Sequence, residues 1–72
     1  MPLSDIHSLY KANDEITLIS TISQNEVISK KLDLYAGLAK EKDIREFFQE
    51  KAIRLKKKTD DMRKHLDRLG GA

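Results

Sequence analysis

Apolar residues recur along this chain at intervals of three and four, the period of one face of an α-helix, and nowhere in strict alternation. From Asp14 to Lys40 the series Leu18, Ile22, Ile28, Leu32, Tyr35 and Ala39 runs without a proline and with one glycine, Gly37. It predicts a helix over about 14–40. The stretch "ITLISTIS" is rich in β-branched residues and could locally be a strand, but it runs straight into "LDLYAGLAK", so length decides for a helix. A second series, Ile44, Phe48, Ala52, Leu55, Thr59, Met62, Leu66 and Leu69, comes close to a coiled-coil seam and predicts a helix over about 43–69. Between the two, "AKEKDIREF" reads as the hinge, with Asp43 three residues before Glu46 in a spacing like that of a capping box. Gly70 and Gly71 mark the end of the second helix and leave 70–72 as a flexible tail.

The first thirteen residues carry two competing signals. Pro2 and Ser4 look like a helix start, with Ser4 as cap for a turn that contains Asp5 and Ile6. Asn13, followed by Asp14 and Glu15, is a second start, because Asn caps well and acids in a first turn complement the helix dipole. The spacing Leu9, Ala12, Ile16, Ile19 would instead carry one helix through Asn13. The expectation is a break or bend near residue 13, with 1–13 a separate arm or short helix.

Two long helices joined by a few residues must return antiparallel, so the fold class is all-α, an antiparallel two-helix hairpin. Phe47, Ile53, Ile16, Ile19, Val27, Leu34 and Leu38 fall off the single seam and widen the apolar surface beyond what one partner helix covers. A chain of 72 residues has little core to spend, and with no cysteine there is no disulfide to staple it. Oligomerisation is the remaining staple, which makes a homodimer closing into a four-helix bundle the expected state. The residues expected in its core or interface are Leu18, Ile22, Leu32, Tyr35, Ile44, Phe48, Ala52, Leu55, Met62 and Leu66. A further protein partner on the apolar stripe is the other way to cover that surface.

Charge changes the picture little. Fourteen Lys and Arg stand against twelve Asp and Glu, a net of +2. Cations concentrate in "KAIRLKKK", where Lys51, Arg54, Lys56, Lys57 and Lys58 could meet the phosphates of a polyanion. Asp60 and Asp61 follow at spacings that would pair them with Lys56, Lys57 and Lys64, and with two Tyr and two Phe there are few rings for base stacking. The block is therefore expected to be a solvated face, or to meet acids such as Glu41 and Glu46 of a neighbouring copy, with nucleic-acid binding the alternative. No apolar run approaches the roughly 20 residues of a membrane span, and no leader-like pattern opens the chain. The expectation is a soluble, cytoplasmic protein without a membrane partner.

Tyr35 followed by Ala39, and Phe48 followed by Ala52, resemble the aromatic and small spacer positions of rubrerythrin-type hairpins in the ferritin-like superfamily. The resemblance covers about 30 residues. It implies a helical-hairpin fold, and in that family carboxylates and a histidine would hold a dinuclear metal centre. Here Ile28, Leu55 and Lys58 stand where those ligands belong, so the resemblance implies a degenerate site with no metal and no cofactor.

Other chemistry is equally sparse. Asp61 and His65 share a helix face, but two ligands make no metal site, and an ion pair near the helix C-terminus is their ordinary role. Glu46 and Glu50 have the spacing of paired carboxylates, yet a solvated face with Glu50 supporting Arg54 accounts for them. His7 stands alone, Ser4 is a cap, and no glycine-rich phosphate loop is present. No catalytic residue can be named, and the chain is expected not to be an enzyme.

Overall fold

The computed structural model describes residues 6–71 as two helices, α1 over Ile6–Leu38 and α2 over Lys42–Gly71. They pack against each other along their length in a rod 58 × 15 × 13 Å. The expected all-α hairpin is therefore the observed fold. The expected start signals at Pro2, Ser4 and Asp5, like Ala72 at the other end, lie outside the described residues.

No break occurs near residue 13, where one was expected; α1 is continuous from Ile6 through Asn13 to Leu38. Asn13 is exposed on that helix. Its intrinsic penalty in a helix is then a few tenths of a kcal/mol, too little to stop a helix 33 residues long.

The hinge is three residues, 39–41. Its entry is a tightened last turn, in which the Ala39 amide donates to the carbonyls of Tyr35 at 3.0 Å and Ala36 at 3.4 Å. The Arg45 guanidinium reaches back to the Ala39 carbonyl at 3.5 Å, a cation on the negative end of α1. The Glu41 carbonyl accepts the first bond of α2, from the Arg45 amide at 3.0 Å, so Glu41 rather than Asp43 is the cap position. Asp43 lies inside the first turn, where its charge favours the dipole. At the far end α2 continues to Gly71, which corrects the expected stop before Gly70; no described glycine has positive φ, so nothing there terminates the helix by a left-handed cap.

The seam follows a strict seven-residue period on both helices. On α1 it comprises Leu18, Ile22, Asn25, Ser29, Leu32 and Ala36, continued by Ala39 of the hinge; on α2 Phe48, Ala52, Leu55, Thr59, Met62, Leu66 and Leu69. All are buried or half-buried. The α2 series matches the expectation save at its first member. Ile44 is 47% exposed and lies beside the seam, as do Ile28 at 45% and Tyr35 at 48%. The reason is rotational: six residues separate Ile22 from Ile28, and six residues turn a helix through about 240°, off the face that Ile22 occupies. Asn25, Ser29 and Ala36 take the places assigned to larger residues.

Small side chains at the centre let the helices approach closely. Ser29, Ala36, Ala52 and Thr59 are buried, the last two at 1% and 2% exposure. Thr59 satisfies its hydroxyl within its own helix, donating to the Leu55 carbonyl at 2.7 Å. The Asn25 amide donates to the Met62 sulfur at 3.7 Å, a weak bond that marks one register of the pairing.

Candidate interaction surface

With the seam assigned, each remaining position has a place: residues one step to either side flank it, and the others point away. The two flanks differ in chemistry. On one, Lys56 donates to Asp33 at 2.7 Å and Arg63 donates to Glu26, bridging the helices, while Arg63 also bonds Asp60 at 3.1 Å. Glu26, Lys56, Asp60 and Arg63 line one shallow cleft there with Ser29 and Thr59 at its floor. This flank is closed by charge.

The other flank is apolar towards the hinge. Tyr35 tilts against Phe48 with ring centroids 5.7 Å apart, and Phe47 meets Phe48 edge to face at the same separation. The Lys51 ammonium lies 5.5 Å from the centroid of Phe47. Ile28, Leu38 and Ile44 are exposed alongside. Around the back of α1 the apolar residues continue through Ile6, Tyr10, Val27 and Leu34, all exposed. Ten consecutive residues of α1, Ile16 to Asn25, carry no charge on any side. A helix with no charged face over nearly three turns is built to be surrounded rather than to lie against one partner.

The register also leaves α1 overhanging. Leu18 shares a cleft with Leu69 at the end of α2, together with Asp14, His65 and Arg68. The two turns from Ile6 to Asn13 therefore extend past the last turns of α2, with Ile6, Leu9 and Tyr10 exposed on them.

The expected core or interface residues divide accordingly. Leu18, Ile22, Leu32, Phe48, Ala52, Leu55, Met62 and Leu66 come together in the seam, while Tyr35 and Ile44 sit on the open flank. Of the cations, Arg54 pairs with Glu50 at 2.6 Å as expected, and Lys42 with Glu46 at 3.8 Å. The expected pairing of Asp60 and Asp61 with Lys56, Lys57 and Lys64 is corrected: Lys56 bonds Asp33 and Asp60 bonds Arg63. Among the described residues Lys57, Lys58, Lys64 and Asp61 enter no ion pair. Charged groups that point away from both helices gain little from pairing in water. His65 contacts Arg68 rather than Asp61.

Ile28 and Lys58, which stand at ligand positions of the resembling family, are exposed on the open flank, and Leu55 is in the seam. Among the described residues no three of His, Cys, Asp or Glu gather in a way that could hold a metal ion, and no helix is long and apolar enough to cross a membrane. No protein-family model, curated protein or solved structure matches the chain.

Proposed function

We propose that this protein is a non-enzymatic structural or interaction module that works as a homodimer, two hairpins closing into a four-helix bundle. One observation carries the reading: among the described residues thirteen large apolar side chains are exposed, whereas three apolar residues, Ile22, Ala36 and Ala52, are buried. Burying half of the exposed set at about 1.5 kcal/mol each would contribute on the order of 10 kcal/mol. That is the range in which association overcomes its loss of rotational and translational freedom.

Sedimentation equilibrium across nanomolar to micromolar protein tests the proposal. The expected result is a two-chain species at micromolar concentration, and a monodisperse monomer there overturns it. A second reading rests on the cations Lys57, Lys58 and Lys64, which enter no ion pair in the hairpin. Sub-micromolar binding of a labelled duplex near physiological salt, lost on changing Lys56, Lys57 and Lys58 to Gln, would favour a nucleic-acid role over the bundle.

A further inference from the structure

We infer that the second copy docks on the open, apolar flank of α1, with the two α1 helices antiparallel and a two-fold axis crossing them at the level of Ile22 and Ser23. This rests on the dimer reading above and adds the face and the direction. The face consists of the α1 positions in the seven-residue register of Ile28 and Tyr35, together with those in the register of Tyr10 and Lys31 beside them, and it is turned away from the ion-paired flank. Tyr10, Ile28, Tyr35 and Leu38 are its large apolar members, and Thr17, Thr21 and Gln24 lie between them. Its formally charged residues are two, Asp14 and Lys31, and neither forms an ion pair within the hairpin.

Direction follows from where those two charges stand. Asp14 and Lys31 are equidistant from a point between Ile22 and Ser23, and Tyr10 and Tyr35 share that centre. Antiparallel pairing about it sets Asp14 of each copy against Lys31 of the other, twice, and sets Tyr10 against Tyr35. Parallel pairing would put acid against acid and base against base, at a cost for each like pair.

The overhang gives the same answer. Ile6, Leu9 and Tyr10 have no α2 beside them in their own hairpin, and in the antiparallel arrangement they reach the other copy's apolar hinge end, near Leu38.

The chain has no cysteine, so single cysteines report direction cleanly. Asp14→Cys and Lys31→Cys proteins, mixed under mild oxidation, should form a disulfide-linked heterodimer, while neither links to itself. Self-linking of each, or no linking in a solution that sediments as dimer, overturns the arrangement and leaves the dimer reading standing. A monomer in sedimentation overturns both. Charge exchange gives an independent readout: Asp14→Lys and Lys31→Asp should each weaken dimerisation about tenfold at low salt, and the double exchange should restore it. A double variant no tighter than the single ones overturns the inference. All these positions are exposed, so the hairpin itself should fold in every variant, as circular dichroism can verify.

Discussion

At single residues, the hairpin depends on small side chains where a larger one would force the helices apart, and tolerates added bulk where it faces outward. Ala52 is the clearest case of the first kind, buried at the seam in the layer of Ala36. Ala52→Leu adds three heavy atoms to a closed interface and should cost about 1–3 kcal/mol, seen as a lower midpoint in urea with little change in slope. Gly37 is the opposite case. It lies in the last turn of α1 with negative φ, and a Cβ built on it meets nothing within 4 Å. Gly37→Ala should therefore stabilise by about 0.5–1 kcal/mol, through the entropy of the unfolded chain and the gain in helix propensity. It points away from the proposed dimer face, so the thermal midpoint should rise without a change in oligomeric state.

At the scale of the helices, α1 and α2 are unlike partners. α2 is amphipathic, with one apolar seam against α1 and a largely charged remainder in which Ile44, Phe47 and Ile53 are the exposed large apolar residues. α1 has apolar or uncharged residues on every side of its middle turns, and α2 covers only one of those sides. The register between them is fixed on the closed flank by Asp33 with Lys56 and Glu26 with Arg63. Such half-exposed pairs add modestly to stability and are screened by salt. Arg63→Ala removes the partner of both Glu26 and Asp60 and should cost about 0.5–1 kcal/mol at low ionic strength. In about 1 M salt the difference from the parent protein should shrink towards zero, whereas that of Ala52→Leu should persist.

For the whole molecule, the seam of a two-helix rod buries little apolar surface, and the dimer proposed above would supply the remainder. If stability comes from pairing, folding and association are one equilibrium, and the thermal midpoint must depend on protein concentration. A rise of several degrees between about 1 and 100 μM is expected in circular dichroism melts. A midpoint that stays constant over that range would mean the hairpin is self-sufficient and its exposed face is held for a different protein.

Local sequence determined the two helices, the hinge between them and the α2 seam, because a period of three and four and an absence of proline act within one or two turns; the start of α1 lies at Ile6, eight residues before the expected one at Asp14. The same residues identified Phe47, Ile53, Ile16, Ile19, Val27, Leu34 and Leu38 as surplus to that seam, and all seven are exposed. Tertiary pairing decided the rest. Large side chains drew the expected α1 face towards Ile28 and Tyr35, yet the seven-residue repeat imposed by α2 selected Asn25, Ser29 and Ala36, since a straight partner can follow only one line along a helix. The capping signal at Asn13 had no effect, because α1 continued through it and left its side chain exposed. Which flank is closed by ion pairs was likewise not legible: Lys56 meets Asp33 and Arg63 meets Glu26 across 23 and 37 positions of sequence. Charge pairing at that range depends on register, and register exists only once the two helices have met.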